Sequence, residues 1–222
     1  PAITHVALLA KGPPRTLKRR RIKPEDLLAG STSIGRAIHL LQLRSFFFVL
    51  EEDRITRIIT RSDLNRLPVR TYLHTLLDHL EALLVDVVVN IHPNDTWMQL
   101  MSDNRRKKTR ELHERKRSDD LETELIDCTT FSDKLTIIEK SCHFPPERLG
   151  HPSRSSMRDS LGRVRKLRDL LSHSGDLVEF GFDDLRNRVR HVDKLSRRRD
   201  VEWLSRVVQT LQEAIAVLER EP

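Results

Sequence analysis

Along most of this chain apolar residues recur at steps of three and four, the spacing of one helix face. Leu73, Leu76, Leu77, Leu80, Leu83 and Leu84 form a wide stripe and predict a long helix over residues 70–92. Val164, Leu167 and Leu171 predict an amphipathic helix over residues 153–173. Arg168, four after Val164 and three before Leu171, is expected inside that same stripe. Leu204, Val207, Val208, Leu211, Ile215 and Leu218 predict a closing helix over residues 201–219, with another before it over residues 183–195. Leu135, Ile137 and Ile138 mark the core face of a helical region over residues 125–140.

The front of the chain has a different pattern. Residues 45–50 (Ser-Phe-Phe-Phe-Val-Leu) are a short apolar run bounded by charge, as expected of a buried strand. Glu51, Glu52 and Asp53 make a polar turn, and Arg54 to Thr60 returns as the second strand of a hairpin. Before them, Ile34, Ala37, Ile38 and Leu41 share one face of a helix capped by Ser31, and residues 23–28 read as a turn. Ser62 to Asn65 opens a short helix that Pro68 stops. Residues 3–10 fit a buried strand or a short helix, and Pro13-Pro14 breaks the pattern after them. The expected fold is mainly α: a small α/β segment over residues 1–68, then a helical bundle over residues 69–222.

Composition narrows the partners. The chain has 222 residues, 37% hydrophobic and 33% charged, a balance that supports a folded core. Forty Lys+Arg against 33 Asp+Glu give a net charge of +7, which suits a polyanion such as RNA. Much of the positive charge lies in Lys18 to Arg21 and in residues 104–117, the second expected to be a protruding helix with a solvated or phosphate-tracking face. Aromatics make up only 5%, which disfavours binding by rows of stacked rings. Cys128 and Cys142 form neither a metal-ligand spacing nor a disulfide framework, so a reducing, cytoplasmic setting is expected. No apolar run is long enough to span a bilayer, so no membrane partner is expected.

The candidate chemistry sits at the tail of the helix over residues 153–173. Arg168 is a guanidinium close to His173, an imidazole at the negative end of the helix dipole, with Gly175 as a left-handed stop beyond it. Residues five apart project about 140° from each other on an ideal helix, so the pair converges only if the helix unwinds or a second protomer joins. The run Arg168-Asp169-Leu170-Leu171-Ser172-His173 resembles the R-x4-H signature of HEPN domains. Residues 126–138 are similar to the Thr-Phe-x-Asp helix start that precedes that signature in several HEPN groups, here Thr130, Phe131, Ser132 and Asp133. The resemblance implies a homodimeric, metal-independent endoribonuclease. His173 acts as general base or acid, Arg168 stabilises charge on the phosphorane, and Asp169 or Ser172 orients the pair. The expected products are a 2′,3′-cyclic phosphate and a 5′-hydroxyl, with no cofactor required for cleavage.

Residues 23–68, read as helix, strand, turn, strand and then Thr-Arg-Ser-Asp-Leu, resemble a CBS repeat. In that family the threonine hydroxyl meets ligand phosphate and the aspartate accepts ribose hydroxyls. The matching residues are Thr60 and Asp63, with Arg57 where the family carries glycine. The resemblance implies an adenine nucleotide as regulatory ligand. It also implies a mate for the single repeat, from residues 1–22 or from another protomer. The alternative class is a non-catalytic nucleotide-sensing or nucleic-acid-binding regulatory protein. In that case Arg168 makes a dimer salt bridge; if no ligand binds, Asp63 only caps the helix that follows and Thr60 only ends a strand.

Overall fold

The computed structural model describes residues 5–8, 18–173, 175–178 and 194–220. They are mainly helical, with two small sheets. They divide into two compact units, each made from two pieces of chain. The first comprises the described residues of Pro1–Val69 and Asp176–Ser205; the second comprises Arg70–Gly175 and the described residues of Arg206–Pro222. The sequence pattern draws two continuous segments, 1–68 and 69–222. The units are discontinuous because residues late in the chain pack with the first unit.

In the first unit, β1 (His5–Leu8) and β2 (Lys18–Arg21) pair antiparallel. A separate three-stranded sheet follows, in the order β3 (Leu27–Ala29), β4 (Phe46–Glu51), β5 (Arg54–Thr60). β3 runs parallel to β4, and β5 is antiparallel to β4. A parallel pair needs a crossover, and α1 (Ile34–Leu43) supplies it. β3 was expected as a turn; three residues are too few to show a strand period. The cap of α1 is Ser33, not Ser31, and its hydroxyl accepts the Arg36 amide at 3.3 Å. Leu28, Ile38, Leu41, Phe47, Val49 and Leu64 are buried in this unit. Arg61 closes the far end of α1 by donating to Leu41 O at 2.8 Å and Gln42 O at 3.2 Å. The later piece of chain is tied in by side chains. The Asn65 amide accepts from Leu177 N at 2.8 Å and Val178 N at 3.1 Å and donates to Val178 O at 2.9 Å. Gln42 donates to the buried Ser205 hydroxyl at 2.8 Å.

A 3-10 turn at Arg61–Asn65 leads into α2 (Leu67–Ile91). Pro68 does not stop a helix here. It occupies the first turn of α2, where a missing N–H leaves no intrahelical bond unmade. In the second unit α2 continues and is joined by α3 (Asp103–Ser118), α4 (Phe131–Lys140), α5 (Arg154–Ser172) and the end of α6 (Lys194–Leu218). Leu73, Leu77, Leu80, Leu84 and Val88 form the buried stripe of α2, with Leu76 and Leu83 half-buried at its edges. The region expected to be one helix from residue 125 splits into a 3-10 turn at Ile126–Cys128 and α4. Thr130 caps α4, accepting the Asp133 amide at 3.2 Å. Thr96–Leu100 forms a further 3-10 turn. Pro13-Pro14 and most of the helix expected over residues 183–195 lie outside the described residues.

Candidate functional site

α5 begins at Ser153, whose hydroxyl accepts the Ser156 amide at 3.2 Å, and runs unbroken to Ser172. Met157, Ser160, Leu161, Val164, Leu167 and Leu171 form its buried face. Arg168 is not in that face, contrary to expectation. The Arg168 side chain is 44% exposed, and its guanidinium lies 3.6 Å from the Asp169 carboxylate. Asp169 and His173 are exposed as well. The helix does not unwind before His173, whose amide still donates to Asp169 O at 3.0 Å. The angular separation of about 140° therefore stands, and a single chain does not turn Arg168 and His173 onto one phosphate.

The carbonyls at this helix end have a partner that sequence reading missed. The Arg70 guanidinium donates to Leu171 O at 2.9 Å, Leu170 O at 3.3 Å and Gly175 O at 2.9 Å. The last turn of a helix leaves carbonyls unpaired and carries partial negative charge, which a cation neutralises. Arg70 fills that role. The Gly175 amide adds a bond to Leu170 O at 2.9 Å, although Gly175 itself is not in the left-handed conformation expected of it. A Cβ on Gly175 would lie 3.1 Å from Leu170 Cδ2, so the chain passes close over that side chain. Arg70 lies 100 to 105 residues before the carbonyls it binds, so no local signal marks it.

The Thr130-Phe131-Ser132-Asp133 segment is a helix start. The Asp133 carboxylate accepts the Thr130 amide at 2.9 Å and the Thr130 hydroxyl at 2.7 Å. It also receives both arms of Arg105, Nε at 2.9 Å and Nη2. Burial pushes the Asp133 carboxyl up, but Arg105 and the two Thr130 donors outweigh burial and hold it below the usual carboxylate range. Arg165 of α5 reaches Glu139 Oε1 of α4 at 2.8 Å, so charged pairs as well as apolar faces join these helices. The buried Lys134 ammonium donates to Glu81 at 2.9 Å and to Thr129 O at 3.1 Å. His92 is buried with Nε2 2.8 Å from the Ser141 hydroxyl, and burial, then the neighbouring His143, lowers its proton affinity. Burial, with Arg163 opposed by Glu213, lowers that of His151.

The first unit contains a cleft of about 330 Å³ between α1, the sheet and the start of α2. Its floor is apolar, with Leu28, Ile38, Leu41, Val49, Ile59 and Leu64, and Glu51, Arg57 and Asp63 are charged residues of its wall. Asp63 is one of the residues that line this cleft. Thr60 is not among the described lining residues, and its hydroxyl donates to Asp63 Oδ2 at 2.9 Å. The Thr60 amide donates to the same oxygen at 2.7 Å, and Arg66 Nε lies 2.8 Å from Oδ1. Asp63 thus reaches back to Thr60 at the start of its own 3-10 turn and also lines the cleft. Arg57 and Glu51 lie 3.6 Å apart, with side chains 73% and 43% exposed. The alternation of β5 places Arg57 on the face of Ile59, a period-2 signal that marks it for this cleft.

Among the described residues no group of three or more His, Cys, Asp or Glu is placed to hold a metal ion. None of the described helices is long and apolar enough to cross a membrane. No protein-family model, curated protein or solved structure matches this chain.

Proposed function

We propose that this protein binds an adenine nucleotide in the cleft of its first unit and acts as a nucleotide-responsive regulator. The observation that carries the reading is the cleft itself. An apolar floor fit for a heterocycle lies beside a carboxylate that can accept ribose hydroxyls and a guanidinium that can meet a phosphate. The resemblance of residues 23–68 to a CBS repeat supports the same ligand. Calorimetry is the test. AMP should give saturable heat, and Ala37→Phe, which extends a ring from α1 into the cleft, should abolish it. If none of adenosine, AMP, ADP, ATP and the cyclic adenylates gives saturable heat, the reading fails.

A second reading, metal-independent RNA cleavage, is favoured by one observation. Arg168, Asp169 and His173 are all exposed at the tail of α5, open to a second copy of the chain. Twofold pairing of two such tails would set the guanidinium of one protomer beside the imidazole of its partner. His173 would then move the proton of the 2′-hydroxyl or of the leaving oxygen, and Arg168 would balance the charge on the phosphorane. In chelator, the protein should cut RNA to 2′,3′-cyclic phosphate ends. Arg168→Ala and His173→Ala should each slow it about a hundredfold or more. Equal rates for all three proteins would end this reading.

A further inference from the structure

We propose that the cleft selects a nucleoside carrying at most one phosphate, with Arg57 as the phosphate partner and Glu51 as the group that repels longer phosphate chains. This inference rests on the adenine-nucleotide reading of the cleft. The described lining residues carry one guanidinium, Arg57, against two carboxylates, Glu51 and Asp63. A phosphate monoester can take both arms of one guanidinium. Every further phosphate adds negative charge near Glu51, with no second cation among the described lining residues to meet it and with Arg66 already paired to Asp63.

Two other phosphate-binding devices are already occupied. The Thr60 hydroxyl donates its proton to Asp63 at 2.9 Å, so it has none to give a phosphate oxygen. Gly30, the glycine that lines the cleft, is covered by Glu51: a Cβ built there would lie 2.6 Å from Glu51 Cγ. Its backbone is roofed by a side chain that ends in a carboxylate, the opposite of a glycine loop open to phosphate. Arg57, by contrast, is held only by a solvent-exposed pair with Glu51 at 3.6 Å. Such pairs contribute little, so the guanidinium can turn to a ligand at small cost.

The experiment is calorimetry on the full chain with adenosine, AMP, ADP and ATP in the same chelator-containing buffer. AMP should bind tightest, and ATP should be weaker than AMP by about tenfold or more. Arg57→Gln should bring the AMP-to-adenosine affinity ratio close to one. Glu51→Gln should shrink the AMP-to-ATP ratio. ATP binding tightest, or an Arg57→Gln protein that keeps the wild-type AMP-to-adenosine ratio, overturns the selectivity while leaving the nucleotide reading intact. No heat from any of the four ligands overturns both together.

Discussion

Asp133 accepts four donors with two oxygens, and its stability contribution has a definite pH signature. Its folded-state proton affinity is depressed, so the folded protein releases the proton more readily than the unfolded chain does. The resulting stability is present above the unfolded carboxyl value of about 3.9 and is lost as pH falls through the lower folded value. His92 gives a separate signal. Its proton affinity is also depressed, so its contribution is present above about 6.5 and fades as pH drops below that value. Thermal unfolding followed across pH should therefore show two falling phases on acidification. Asp133→Asn should blunt the acidic phase and destabilise at neutral pH by about 1–3 kcal/mol, because Arg105 loses its carboxylate. His92→Gln should blunt the phase nearer neutrality. At this scale the sequence was legible where partners are close. The Thr130 and Asp133 helix start shows in four residues. Arg105 lies 28 residues from its partner, and no local pattern connects them.

At the scale of elements, α5 shows what periodicity can and cannot tell. The buried stripe through Val164, Leu167 and Leu171 follows from spacing alone. The edge of the stripe does not, because neighbouring elements decide which flanking positions they cover; Arg168 fell on the open side. The end of α5 depends on Arg70, which belongs to another helix. Arg70→Ala removes three charge-assisted bonds to Leu170, Leu171 and Gly175 carbonyls and should cost about 2 kcal/mol in urea unfolding. Amide exchange at His173 and Gly175 should quicken more than exchange at the middle of α5. Arg70→Lys, which keeps the charge without the planar fork, should recover only part of the loss. Unchanged stability in Arg70→Ala would mean that water caps these carbonyls equally well. The start of α2 makes the complementary point: Pro68 is a helix breaker in the interior but an acceptable residue in a first turn, and only the position of the preceding 3-10 turn decides between them.

For the whole molecule, the mainly helical class and the strand hairpin near the start were legible, because both rest on short-range periods. β3 was hidden by its length of three residues. The construction of each unit from two distant pieces was hidden as well, since contacts across a hundred residues leave no trace in local spacing. Cutting the chain after Val69 would therefore not release a self-sufficient half. The shortened polypeptide would keep Asn65 but lose the Leu177 and Val178 backbone that its amide binds, and it would keep Gln42 while losing the Ser205 hydroxyl. Anyone dividing the gene to study the cleft of the first unit separately would do better to splice residues 1–69 to residues 176–205 with a linker.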